Sequence, residues 1–330
     1  MNQSTDSATQ NDPITEINVS IGTAGVLGLS DIKMDVAPTT AYLMLGGRCT
    51  MNCSFCAQAR ESHSSALNLS RVTWPAFPLD DVVRRIAAAF AGDTLRRACL
   101  QVTVSPGDFA QSLHVVRVLR AESDIPIDVS ILPHSIAEVQ ALLDAGVDHI
   151  GFGFDAASRR AFEFAKSGNW ERGLALIEET ARQFPGRAAA HLIVGLKETE
   201  QEMVEMIQFM HDRGVTVGLF AFTPVRGTAL EGHPAPPLAQ YRRMQAARYL
   251  IAGNHITAGQ CTFDAGGRLI RIDAPGWRAH LADGRAFETS GCPDCNRPYY
   301  NERPGGTMYN YPRRLTDSEA TLGLMELSID

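Results

Sequence analysis

Short, nearly continuous apolar runs alternate along this chain with stretches whose apolar residues recur every three or four positions. The runs TAYLML (40–45), ACLQVTV (98–104), IPIDVSIL (125–132), VDHIGFGF (147–154), AAHLIVGL (189–196) and VTVGLFAF (215–222) predict six strands. Between them DDVVRRIAAAF (80–90), SLHVVRVLRAE (112–122), SIAEVQALLDAG (135–146), WERGLALIEETARQF (170–184) and TEQEMVEMIQFMHDRG (199–214) carry helical spacing, the third stopped by Gly146. Strands that are apolar on both faces and joined by helices belong to a parallel sheet with helical crossovers, either a barrel or a doubly wound sheet. The Met203, Met206 and Met210 stripe repeats at helical spacing and is read as packing against that sheet.

The pattern changes near residue 232. GHPAPP (232–237) is a Pro/Gly break, PLAQYRRMQAARYLIAG (237–253) is one more amphipathic helix, and GGRLIRID (266–273) reads as a turn and a short strand. The tail SGCPDCNRPYYNERPGGTMYNYPRR (290–314) is too rich in Gly, Pro and Asn for a regular helix. Its aromatics Tyr299, Tyr300, Tyr309 and Tyr311 favour a structured loop packed over something. The expected division is therefore a disordered tail at 1–12, a barrel unit at 13–232 and a C-terminal segment at 233–330.

Composition narrows the function classes. A chain of 330 residues with 45% hydrophobic content can bury a large core. A formal net charge of −7 without a basic stripe argues against nucleic acid. No stretch approaches the roughly 18 apolar residues of a membrane span, and the polar start carries no apolar leader, so the expected location is the cytoplasm. Seven cysteines in clusters suit a reducing compartment and metal chemistry better than a disulfide framework.

Three of those cysteines, Cys49, Cys53 and Cys56, fall within GGRCTMNCSFCAQAR (46–60). Thiolates at this spacing on a glycine-preceded loop can converge on one face of a [4Fe-4S] cube and leave one iron without a protein ligand. Zinc would need a fourth donor, for which His63 is available nearby. Three more cysteines, Cys261, Cys292 and Cys295, lie in or beside the tail. The Cys292–Cys295 pair reads as a metal-chelating hook, a redox pair, or a zinc knuckle completed by His280. Cys99 is alone on the second strand, where burial is the plainest reading.

The C-x3-C-x2-C spacing with Phe55 before the third cysteine resembles the radical S-adenosylmethionine superfamily. HLIVGLKETEQE (191–202) resembles that family's fifth-strand motif and LFAFTPVRGTAL (219–230) its sixth-strand segment. The resemblance, over roughly residues 38 to 230, implies an α/β fold, a partial (β/α)6 barrel of the TIM type with a loop-rich C-terminal extension. It also implies a [4Fe-4S] cluster on Cys49, Cys53 and Cys56 whose open iron chelates S-adenosylmethionine and delivers the electron that releases a 5′-deoxyadenosyl radical. Phe55, Ile193, Gly195 and Glu198 would then lie near the cofactor, and Asp155 would meet its ribose or simply cap the next helix.

The whole chain resembles the biotin synthase-like branch. Cys99 stands where biotin synthase carries a ligand for its sulfur-donating cluster, but Ser130 stands where another ligand cysteine is expected. The tail resembles instead the two-protein type of lipoyl synthase. That likeness implies an auxiliary [4Fe-4S] cluster on Cys261, Cys292 and Cys295, with Cys99, a serine such as Ser290 or an arginine left for the fourth position. It implies sulfur insertion into an octanoyl-lysyl group on a carrier protein, a partner radical protein for the second sulfur, and an electron donor such as ferredoxin or flavodoxin. Arg297, Arg303, Arg313 and Arg314 would meet an acidic carrier, and the tail tyrosines with Phe220 and Phe222 would wall an apolar tunnel. The alternatives are a biotin synthase-like enzyme, or a radical mutase or cluster maturase without sulfur transfer.

Overall fold

The computed structural model describes residues 14–303 and 305–329, and the tail expected at 1–12 lies outside them. It opens with β1 (Glu16–Val19) and the short helix α1 (Ile21–Val26), followed by β2 (Thr40–Leu45). A small hairpin, β3 (Asn68–Leu69) and β4 (Val72–Thr73), leads to β5 (Ala76–Pro78) and α2 (Leu79–Ala91). Regular alternation then sets in: β6 (Arg97–Val102), α3 (Asp108–Glu122), β7 (Ile127–Ser130), α4 (Ile136–Asp144) and β8 (His149–Asp155). Two helices, α5 (Arg159–Ala165) and α6 (Trp170–Gln183), precede β9 (Ala188–Val194), α7 (Glu200–His211), β10 (Thr216–Ala221) and α8 (Leu238–Ala252). The chain ends through the hairpin β11 (Cys261–Phe263) and β12 (Leu269–Ile272), a long loop, and α9 (Asp317–Glu326).

The strands lie in the order β10-β9-β8-β7-β6-β2-β1-β5. Every pairing from β2 to β10 is parallel. Six parallel strands in sequential order with helices in the connections form the partial (β/α)6 barrel. β1 pairs antiparallel with both β2 and β5, covering the edge of β2 that an open barrel would expose. Those strands of four and three residues are too short for a readable alternation, and α9 likewise went unpredicted.

Strand parity decides what faces the interior. On β2, Ala41, Leu43 and Leu45 join the main core under the helices, whereas Tyr42 and Met44 turn inward beside Trp74, Cys99 and Cys295. The same alternation puts Arg97, Cys99 and Gln101 of β6, Asp128 and Ser130 of β7, and His191 and Ile193 of β9 inside the barrel. α8 packs on α7 and β10, and Met203, Met206 and Met210 are buried in the core as their spacing predicts. Among the described residues no helix is long and apolar enough to cross a membrane.

Candidate active site

A cavity of about 1260 Å³ runs through the barrel interior, lined by Cys49, Cys53 and Cys56 and also by Cys99, Cys292 and Cys295. The first three sit on the loop that leaves the C-terminal end of β2. That loop begins at Gly46, with φ +91°, where an added Cβ would lie 2.2 Å from Thr103 Oγ1. The Thr103 hydroxyl bonds the carbonyls of Leu45 and Gly47, so it cannot yield without losing the turn. Gly46→Ala is expected to cost about 2–3 kcal/mol in a urea denaturation experiment, from left-handed strain and lost hydrogen bonds together. It should also lower iron uptake on reconstitution.

Backbone bonds pin the cysteine loop. Cys49 N donates to Gln58 O at 2.9 Å, Thr50 N to Val104 O at 2.8 Å, Ser54 N to Ala165 O at 2.8 Å, and Cys56 N to Cys53 O at 3.1 Å. Asn52 N donates to Ser167 Oγ at 2.9 Å. Burial pushes the Cys56 thiol up to about 12 and raises Cys49 as well. Burial therefore favours the neutral thiol at Cys49 and Cys56, and a bound cation favours the thiolate there. Three desolvated sulfurs on an anchored loop suit an iron–sulfur cluster with one iron free of protein donors. His63 does not line the cavity and supplies no fourth ligand; its backbone N–H donates to Gly227 O instead.

Across from this loop Lys166 Nζ donates to Asp155 Oδ2 at 2.7 Å and to Gly153 O at 2.6 Å. Burial would lower the Lys166 ammonium, but the charge of Asp155 and the hydrogen bond to it raise it, and the group stays protonated. Asp155 is at a register shift at the end of β8 with φ +66°. It does not cap α5, whose N-cap is Ser158, accepting from Ala161 N. Phe55 and Ile193 line the cavity, whereas Gly195 and Glu198 stand behind it. There the Glu198 carboxylate accepts from Gly195 N and Leu196 N, both at 2.7 Å, and fixes the turn after β9.

Burial raises the Glu198 carboxyl from 4.5 to about 7, against the pull of those two N–H donors. Its folded-state value lies above the unfolded one, so its stabilisation is complete below about pH 4.5 and is lost as pH rises through 7. Glu198→Gln is expected to remove roughly 3 kcal/mol of that decline between pH 4.5 and 8, read as the difference between wild-type and variant urea curves.

The second cysteine group enters from the opposite end. Thr39 Oγ1 and Thr40 Oγ1 donate to Asp294 O at 2.6 and 3.0 Å, and Arg97 Nε donates to Pro293 O at 2.9 Å. These bonds plug the N-terminal mouth of the barrel with the Cys292–Cys295 turn, closed by Cys295 N to Cys292 O at 3.2 Å. Tyr42 Oη lies 3.5 Å from Cys295 Sγ, and Gln101 Nε2 donates to Cys99 Sγ at 2.9 Å. Burial raises the Cys99 and Cys292 thiols.

Cys261 is not part of this group. It opens β11, whose hairpin lies outside the barrel against the start of α7, and its sulfur faces Thr257 O; Cys99 shares the cavity with Cys292 and Cys295 instead. His280 is stacked on His255 with ring centroids 3.8 Å apart, away from Cys292.

The tail arginines also separate. Arg297 is inside, donating to Ser290 O at 2.8 Å and stacked 3.7 Å over Phe220. Arg313 and Arg314 are paired with Glu319 and Glu288, which leaves Arg303 at the cavity rim with Arg71 and Arg226. Tyr299, Tyr300, Phe220 and Phe222 line the cavity, whereas Tyr309 packs on Tyr241 and Tyr311 belongs to the core. Lys166, Asp128 and Arg97 carry no motif in the sequence, and His191, whose place near a strand start reads as structural, lines the cavity; the signal for Arg97, Asp128 and His191 is a polar residue at the same strand parity as Cys99.

A family model described as the Radical SAM superfamily matches residues 43–210. The chain is 28% identical over 208 residues to a biotin synthase of Desulforudis audaxviator, covering 62% of this chain and 62% of the relative. It is 28% identical over 193 residues to a lipoyl synthase of Chlorobaculum parvum, covering 55% of this chain and 62% of that one. The aligned region thus spans 62% of the length of each of these curated relatives. The X-ray structure of the FeFe-hydrogenase maturase HydG from Carboxydothermus hydrogenoformans shares the fold, with TM-score 0.51 over 65% of this chain and 51% of that chain at 16% identity.

Proposed function

Because the chain belongs to the radical SAM superfamily, with a match over residues 43–210, we propose that it is a sulfur-inserting member, the component of a two-protein lipoyl synthase that acts on an octanoyl-lysyl carrier protein. One observation carries this reading: two sets of three thiols, Cys49/Cys53/Cys56 and Cys99/Cys292/Cys295, face a single cavity. The superfamily implies a [4Fe-4S] cluster with S-adenosylmethionine, which when bound supplies the 5′-deoxyadenosyl radical that takes a hydrogen atom from an unactivated carbon. Cys49, Cys53 and Cys56 would hold that cluster, and the Lys166 hydrogen bond orients Asp155 for a ribose hydroxyl of the cofactor. Ile193 packs near the adenine and Phe55 beside the cluster loop. Cys99, Cys292 and Cys295 hold an auxiliary cluster, the source of sulfur.

Part of the cavity wall is apolar. Met44, Leu69, Val72, Trp74, Phe220 and Tyr300 would enclose an eight-carbon chain and exclude water. Arg71, Arg226 and Arg303 at the rim suit an acidic carrier. A partner radical protein would add the second sulfur, and ferredoxin or flavodoxin would reduce the cluster in the cytoplasm.

Mass spectrometry of an octanoylated carrier peptide after turnover tests the reading: the expected product has gained one sulfur. A gain of two overturns the paired arrangement, and cofactor cleavage without any sulfur gain overturns insertion. Iron analysis adds a second arm, since about eight irons per chain fits two clusters and about four fits one. The biotin synthase relative favours a second reading, a biotin synthase-like activity, which predicts no sulfur on the carrier peptide.

A further inference from the structure

We infer that Asp128 is the fourth protein ligand of the cluster held by Cys99, Cys292 and Cys295, an oxygen donor in an otherwise sulfur set. The inference rests on the auxiliary-cluster reading above. Asp128 is the residue paired with Cys99 across the parallel β6–β7 register, on the inward parity of its strand. It is 3% exposed. Its Oδ1 is fully used, accepting from Arg97 Nη1 at 2.7 Å and lying 2.9 Å from His149 Nδ1. Its Oδ2 is buried and accepts from no N–H or O–H donor. A buried carboxylate oxygen left unpaired is costly, and such an orphan marks a missing partner. The Cys292 thiol lies within hydrogen-bonding reach of the carboxylate, so Oδ2 faces a sulfur and no N–H or O–H donor, and that thiol would give up its proton on binding iron. Arg97 and His149 thereby do for Asp128 what outer-shell groups do for a metal ligand: they lock the side chain and leave one oxygen aimed inward.

The other donors are committed elsewhere. Ser290 Oγ accepts from Leu219 N at 2.9 Å and so turns toward β10. Arg297 uses its backbone N on Tyr42 Oη and its Nη2 on Ser290 O and Leu219 O. His191 packs edge-on against Phe220, two strands from Asp128. Charge agrees as well, since three thiolates and a carboxylate would be offset by the buried Arg97 and by Arg297. A carboxylate is a harder, weaker donor to iron than a thiolate, so the set contains one corner that exchanges more readily than the other three.

The test uses the full chain carrying Cys49→Ala, Cys53→Ala and Cys56→Ala, so that only the auxiliary site is read; anaerobic reconstitution should load about four irons. Asp128→Asn keeps an acceptor for Arg97 but removes the anionic donor. It is expected to lose about one iron in four and to show the electron paramagnetic resonance signal of a three-iron cluster. Asp128→Cys is expected to restore the lost iron and to change the Mössbauer parameters of one iron site. Unchanged iron content and spectra in Asp128→Asn overturn the assignment, as does strong nitrogen hyperfine coupling in the parent, which would place His191 or Arg297 on the iron. Iron loading that is absent from the parent, or indifferent to Cys292→Ser and Cys295→Ser, overturns the auxiliary cluster itself, so the two failures are distinguishable.

Discussion

Replacing Cys53 with alanine is expected to abolish reductive cleavage of S-adenosylmethionine, lowering 5′-deoxyadenosine formation by about a thousandfold or more, equivalent to about 4 kcal/mol. Cys53 is buried in the middle of the loop, and its neighbours are tied down through their backbones: Ser54 N to Ala165 O and Cys56 N to Cys53 O. Alanine removes one sulfur and leaves every one of those bonds in place, so the loss reports on ligation and not on folding. Iron content should fall by about four per chain. Cys261→Ala is the matched control. Its sulfur lies outside the cavity, and the variant should keep its iron and its cleavage rate. Normal product formation by the Cys53→Ala chain would remove the radical reading altogether.

The largest effect on stability is expected at Arg243. Its guanidinium grips the Glu200 carboxylate with Nε to Oε2 at 2.7 Å and Nη2 to Oε1 at 2.5 Å. The two side chains are 5% and 6% exposed. Glu200 Oε2 also accepts from Leu269 N at 2.9 Å, and Arg243 Nη1 donates to Leu327 O at 3.0 Å. One ion pair thus joins the first turn of α7, the middle of α8, β12 and the segment after α9. Arg243→Met strands the carboxylate in a dry interior, and a loss of about 3–5 kcal/mol is expected by urea denaturation. The double variant Arg243→Met with Glu200→Leu should recover much of it, because the uncompensated charge goes with it. A single-variant loss under about 1 kcal/mol would show that water reaches the pair.

The radical-cluster loop was legible because its information is local. Three cysteines and a preceding aromatic within one short loop need no tertiary contact to be placed together, and six apolar runs with helical spacing between them already imply a parallel sheet. Parity was legible only in part. Asp128, His191 and Arg97 are single polar residues in or beside apolar runs, and nothing in a run that is buried on both faces says which face will be a packed core and which a cavity wall. The Cys292–Cys295 hook was legible as a pair, but not the cysteine beside it: Cys261 is nearer along the chain, whereas Cys99 shares the cavity with the pair.

The sequence by itself determined the barrel's periodicity, the helix stops and the spacing of Cys49, Cys53 and Cys56, all of which depend on residues a few positions apart. Only the tertiary structure decided that the tail closes the N-terminal mouth of the barrel, that Cys99 and not Cys261 meets Cys292 and Cys295, and that Asp128 presents an unpaired oxygen beside them. Those facts depend on sheet curvature and on threonine and arginine bonds that reach back roughly two hundred residues or more to the tail. Hydrophobic pattern carries no record of such closures, since the free energy that selects them arises only after the strands have assembled.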